Sequence, residues 1–226
     1  MWRQYRKIEA GERILVAIDT ASGGGDSTAG QFLSKTRVDV PLVWHSQTTT
    51  SDFIPELAIA LARIHEVTGI NPLVAFERQN GGAFLLDRLA ALNYGGKWDI
   101  FKMPLFGREN NAEGTRLGWD TNTATRPKGL QELKDAVDHK IITVYDRPTL
   151  KEMLSFVTVR TSSAIKAQAE RGGHDDLVMA LMIVWQMYMI DATAPAEQSK
   201  RKKDYSKWEN FRQEKTRDSR GFPILR

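Results

Sequence analysis

The chain has 226 residues, 41% of them hydrophobic and 27% charged, enough for one large globular domain with its own core. It holds no cysteine, which excludes disulfides and thiolate metal sites. Net charge is +4, yet residues 197–226 carry ten Lys/Arg against five Asp/Glu and the remainder holds 22 against 23. The body is therefore near neutral, and the excess sits in a tail whose basic run is "KRKK". Tyr205, Trp208, Phe211 and Phe222 are interleaved with that charge. The tail reads either as a solvated arm or as a segment that docks on nucleic acid or on a protein partner. The start, "MWRQYRKIEAGER", lacks the apolar core of a signal peptide. The longest apolar run, Leu177 to Ile190, is 14 residues broken by Gln186, too short to span a bilayer. A soluble protein is expected.

In chain order, "RILVAID" (13–19) reads as a buried strand, a short apolar run closed by a glycine turn. "STAGQFLSK" and "VDVPLVWHS" follow with β-branched or alternating character and complete an antiparallel meander of three strands. "SDFIPELAIALARIHEVTG" is a helix with Ser51 as N-cap and Gly69 as its stop. "PLVAFE" (72–77) is a short buried strand, "GGAFLLDRLAALN" an amphipathic helix and "WDIFKMPLF" a strand. Residues 107–127, rich in Gly, Asn and Thr, form a long loop or hairpin. "KGLQELKDAVDHK" is a helix, "IITVY" a strand, and "RPTLKEMLSFV" a short helix running into a strand at "FVTVR". "HDDLVMALMIVWQMYMI" is the last helix.

Asp19 ends the first apolar strand, beside "SGGG". A Walker-type phosphate loop is excluded there, since no lysine follows the glycines and the next residues read as a strand. A sugar-kinase or actin-like phosphate hairpin also puts an Asp at this place, and the hairpin alone does not separate it from a metal site. The other acids do. Glu77 finishes "PLVAFE", again before a glycine turn, and Asp175 and Asp176 open the most apolar helix of the chain. Taken singly, either aspartate reads as a helix cap and Glu77 as a partner of Arg78. Taken together, carboxylates at strand and helix ends repel unless a cation compensates them. Oxygen-only ligands suit magnesium or manganese, and two such ions can hydrolyse a phosphodiester.

The order of a three-strand meander followed by α/β crossovers resembles the ribonuclease H-like fold, a mixed central sheet flanked by helices. Four blocks sharpen this: "VAIDTASGGGDSTAG", "VAFERQNGG", "RLGWDTNTATRPKGLQELKDAV" and "GGHDDLVMALMIVW". Together, and in this order, they resemble the C-terminal nuclease domain of tailed-phage large terminases, from about residue 12 to 192. The resemblance implies a two-metal endonuclease, using Mg2+ or Mn2+, that cuts concatemeric viral DNA during packaging in the cytoplasm of the infected bacterium. Its acidic positions match Asp19, Glu77 and the Asp175–Asp176 pair, of which Asp176 is the favoured direct ligand. Many members carry Asp at the second position, so Glu77 is longer by one methylene. Arg108, Arg116, Arg126 and Lys128 fall where the family has a hairpin and loop near the active site. They read either as a solvated loop or as contacts to the backbone of double-stranded DNA. His174 stands next to the acids, as a bystander or as a proton-transfer group. Large terminases carry an ATPase domain before the nuclease and meet a small subunit and a portal protein. With no Walker motif present, the expected layout is a residual linker at 1–12, the nuclease at 13–192 and the basic tail at 193–226. A Holliday-junction resolvase would use the same acids in the same fold.

Overall fold

A computed structural model of the protein describes residues 1–20, 27–46, 50–79, 81–104, 115–160, 165–169 and 175–191. Three strands run antiparallel in succession: β2 (Ile14–Asp19), β3 (Thr28–Ser34) and β4 (Asp39–Ser46), with β1 (Trp2–Gln4) added to the outer side of β4. Helix α1 (Thr50–Thr68) then crosses to β5 (Leu73–Phe76), which lies parallel to β2. Helix α2 (Gly82–Ala91) leads to β6 (Asp99–Ile100), parallel to β5. The seven-stranded sheet has the order β1-β4-β3-β2-β5-β6, and β9 (Thr143–Val144) joins β4 in parallel. The meander, the crossovers and the flanking helices are those expected of a ribonuclease H-like fold.

Alternation along the strands decides what each face carries, because successive side chains point to opposite sides. Ile14, Val16 and Ile18 of β2, with Val74 and Phe76 of β5, belong to a core shared with Phe53, Leu57 and Leu61 of α1 and Leu86 and Leu89 of α2. Leu15, Ala17, Leu73 and Ala75 belong to the opposite core, built on α3 (Thr125–Asp138) and α5 (Asp176–Ile190). Helix α5 is apolar all round because it is enclosed all round: it rests on β2 and β3 and is covered by α3 and by α4 (Arg147–Ser155).

Several boundaries differ from those read in the sequence. Residues 1–12, expected as linker, supply β1 and a set of partly buried ion pairs. Arg3 holds Asp146 at 2.6 Å, and Arg6 bridges Asp39 at 2.6 Å and Glu12 at 2.7 Å. "WDIFKMPLF" is not one strand: β6 joins the sheet, and β7 (Lys102–Pro104) pairs antiparallel with β8 (Thr115–Leu117) in a separate ribbon. Helix α3 starts at Thr125, three residues before Lys128, with Pro127 in the first turn, where a missing N–H costs nothing. "IITVY" yields only the two-residue β9, and α1 starts at Thr50. After α4, β10 (Phe156–Arg160) is the strand expected at "FVTVR"; it pairs antiparallel with β11 (Ile165–Ala169), a strand the sequence pattern does not suggest.

Candidate functional site

Strands β2 and β5 run parallel, with Leu15 beside Leu73 and Ala17 beside Ala75 on the face that packs under α5. Two residues further along each strand, on that same face, stand Asp19 and Glu77. The Glu77 N–H donates to the Ile18 carbonyl at 2.8 Å, carrying the pairing to the end of the strands. Both acids sit at the carboxyl edge of parallel strands, where open α/β sheets bind ligands. Each is 7% exposed. The two carboxyl groups lie against each other. Burial pushes the Asp19 carboxyl well above the usual range, and the bond and charge of Glu77 and then the charges of Asp176 and Asp175 push it further.

Behind Glu77 the chain turns sharply. Gly81 adopts φ 83°, and a Cβ on Gly82 would stand 1.7 Å from the Glu77 carbonyl oxygen. The obstacle is backbone and cannot swing aside, so Gly82→Ala must displace the Glu77 main chain. A loss of about 1–3 kcal/mol, or roughly 2–12 °C in Tm, is expected. A wild-type melting curve for that variant would show that the turn has slack.

The first turn of α5 comes in over this edge. Asp175 holds the N-cap position but makes no side-chain cap bond, and its carboxylate instead accepts from Arg126 at 2.6 Å. The Asp176 carboxylate accepts from the Ser27 N–H at 3.1 Å, on the β3 side. The helix is capped from elsewhere: Glu152 of α4 accepts from the N–H groups of Leu177 at 2.9 Å and Val178 at 3.2 Å. Burial pushes Glu152 up to about 7; the two N–H bonds pull it down, and the charges of Asp176 and Asp175 add to the rise. The site is thus a concentration of carboxyl oxygens with one nearby guanidinium. Such a donor set suits a hard divalent cation. Among the described residues no three acids or histidines already stand at ligand spacing. Among the described acids, Asp176, bonded to the Ser27 N–H, and Asp175, bonded to Arg126, are those available to complete a cage on the Asp19–Glu77 pair by turning from these partners.

No protein-family model and no curated protein matches the chain. Solved structures do. The large terminase nuclease of thermophilic phage G20c with bound cobalt aligns with a TM-score of 0.58 at 18% identity, covering 81% of this chain and 84% of that one. The large terminase nuclease domain of a Thermus phage aligns at 0.57 and 18% identity, over 82% and 83%. A mutant nuclease domain of the large terminase subunit of bacterial virus Sf6, with manganese and beta-thujaplicinol, aligns at 0.51 and 13% identity, over 78% and 89%. The chain has the fold of the large terminase nuclease domains.

On this terminase-nuclease fold, the described basic residues marked in the sequence are engaged with acids. Arg126 pairs with Asp175, Arg116 with Asp120, and Lys128 approaches Glu132 at 4.0 Å. Arg78 also reaches Asp120, at 3.5 Å, and donates to the Leu117 carbonyl. Arg108, His174, the triple-glycine turn and the tail lie outside the described residues. Sequence reasoning missed Glu152. Its partners are the backbone of residues 177 and 178, and nothing in "TLKEML" signals a bond to a helix 25 positions later. Among the described residues, no helix is long and apolar enough to cross a membrane.

Proposed function

We propose that the protein is a metal-dependent endodeoxyribonuclease that cuts concatemeric viral DNA during genome packaging. The observation that carries this reading is the buried Asp19–Glu77 pair at the carboxyl ends of two parallel strands, faced by the first turn of α5. Metal-bound nucleases of the same fold support it, among them the G20c enzyme with cobalt or magnesium and the Sf6 domain with manganese. Asp19 and Glu77 would hold a cation jointly, and Asp176, with Asp175 beside it, would complete the ligand set. A pair of such ions, Mg2+ or Mn2+, would supply an activated water and a counter-charge for the leaving oxygen of the phosphodiester. The side chains contribute placement. Asp19 is held by its strand register and Glu77 by the turn over Gly82, so the two carboxyl groups meet without rearrangement. The core beneath them keeps the inner side of the site dry and strengthens its electrostatics.

Arg126, Arg116 and Lys128 would meet phosphates of double-stranded DNA by exchanging their acidic partners for the backbone, and Arg108 would add a further phosphate contact. Such exchange positions a duplex without reading its sequence. The remaining partners on this reading are the terminase ATPase domain, the small terminase subunit and the portal protein, and the setting is the cytoplasm of the infected bacterium. The basic tail serves either the DNA or the portal.

The direct test is nicking of supercoiled plasmid with Mn2+ or Mg2+, with and without chelator. Metal-dependent nicked and linear products are expected; no cutting by the folded protein in Mn2+ would sink the proposal. Preferential cutting of a four-way junction would instead favour a resolvase. The α5 pair divides the reading further. Asp176 raises Asp19 more than Asp175 does, and Asp175 is engaged by Arg126. Asp176→Asn is therefore expected to lose cleavage by about three decades, the scale of a lost ligand. Asp175→Asn should lose about 10–100-fold, the scale of an outer partner. Small, equal losses in the two variants would reduce the pair to a feature of the helix start.

A further inference from the structure

An α-helix begins with four N–H groups that have no partner within it, and the residue before the helix ordinarily satisfies one or two of them. In α5 that residue is Asp175, and it makes no such bond. The donors of Leu177 and Val178 are met by Glu152, brought in by α4. Helix α4 is itself fixed at its start. Fully buried Asp146 accepts from the Thr149 N–H at 2.9 Å and the Thr149 hydroxyl at 2.6 Å, and Arg3 pins it from β1. Gln31 of β3 then ties the two helices, donating to the Thr149 hydroxyl at 3.0 Å and to the Leu177 carbonyl at 3.2 Å. Both the N–H and the carbonyl of Leu177, the residue following the two aspartates, are thus held by side chains from outside α5.

If helix stability alone were at stake, the Asp175 side chain would be the nearest cap, with no need of a third carboxylate. Glu152 sits where the charges of Asp175 and Asp176 oppose its own. Its effect is to leave Asp175 out of the capping bonds while fixing the turn that carries both aspartates. We propose that Glu152 is a positioning residue, which by accepting the Leu177 and Val178 N–H groups sets the orientation in which Asp175 and Asp176 are offered to a divalent cation. This rests on the metal-nuclease reading above. The working part is the pair of hydrogen bonds, not the charge, since a neutral acceptor of the same length can receive both.

The test is calorimetric titration of Mn2+ into wild type, Glu152→Gln, Glu152→Asp and Glu152→Ala, with near-UV circular dichroism as the check on folding. Glutamine keeps the length and an acceptor oxygen, so its affinity should stay within about threefold of wild type. Aspartate keeps the charge but falls a methylene short, and alanine offers nothing, so both should lose about tenfold or more. If the alanine variant does not fold, the aspartate variant decides. Wild-type affinity in the aspartate variant would make Glu152 a purely structural cap and overturn the proposal. A glutamine variant as weak as the aspartate variant would overturn it too, by making the charge the working part. Failure of the wild type itself to bind Mn2+ would be distinct: it would remove the metal reading, and this proposal with it.

Discussion

Asp19→Asn should abolish cleavage and at the same time make the metal-free protein more stable. A buried carboxyl that faces Glu77 and is opposed by Asp176 and Asp175 is a poor choice for folding. An amide of the same shape is neutral at every pH and can donate to Glu77. About 1 kcal/mol of relief would raise Tm by about 2–4 °C in a chain of this size. The activity should move the other way. A ligand shared by the reacting centre is worth several kcal/mol, so the rate should fall by about three decades. Plasmid cleavage and a melting curve in chelator, on the same preparation, read both. A folded variant that keeps more than about one tenth of wild-type cutting, about 1.4 kcal/mol of barrier or less, would remove Asp19 from the centre. A variant that is inactive but less stable would mean that the substitution damaged the fold.

What could be read from the sequence follows from where the determining interactions lie along the chain. The strands β2 to β5 announce themselves by local apolar runs, and Asp19 and Glu77 by being the charged residues that end two of them. Their shared face was also available: counting back by twos from each acid meets Ala17 and Leu15 in one strand and Ala75 and Leu73 in the other, the residues that pair in register. The N-terminal strand was not legible, because "WRQ" is short and polar. It is kept in place by Arg3 and Arg6, whose carboxylate partners Asp146 and Asp39 lie 143 and 33 positions away. The same distance effect hid Glu152 and the engagement of Arg126 by Asp175. A side chain whose partner is a backbone N–H or an acid on another element leaves no periodicity to detect. The 107–127 stretch reads as a loop or hairpin from composition; β8 does pair antiparallel with β7, while the start of α3 at Thr125 forms through contacts that composition does not encode.

The metal-free protein should lose stability as pH rises from about 5 to 7.5, and a divalent cation should reverse that slope. Glu152 moves from its ordinary 4.5 to about 7 on folding, and Asp19 is raised as well. A carboxyl whose folded pKa is raised binds its proton more tightly in the native state. Its stabilising contribution is complete below the unfolded pKa and is lost as pH climbs through the folded value. Groups shifted the other way act in a separate window. Burial alone would raise Asp146 and Glu12, but Arg3 with Thr149, and Arg6 with Ser34, hold them below their usual range. What those two contribute disappears only as pH falls below about 4, so it leaves the 5 to 7.5 interval untouched. The acids facing one another across the site are Asp19 and Glu77 from the strands, Asp175 and Asp176 from α5 and Glu152 from α4, with Arg126 of α3 the cation paired to them. Mn2+ at about a hundredfold excess over its Kd should add about 2.7 kcal/mol at pH 7.5, or roughly 5–10 °C in Tm. At pH 5 the same addition must displace a proton that the site holds firmly, so the shift should shrink to a small fraction of that value. Melting curves at the two pH values, each in chelator and in Mn2+, give the four numbers required. A Mn2+ shift of equal size at both pH values would mean that the cation is held by groups other than this buried carboxyl cluster, and the metal assignment of Asp19 and Glu77 would fall.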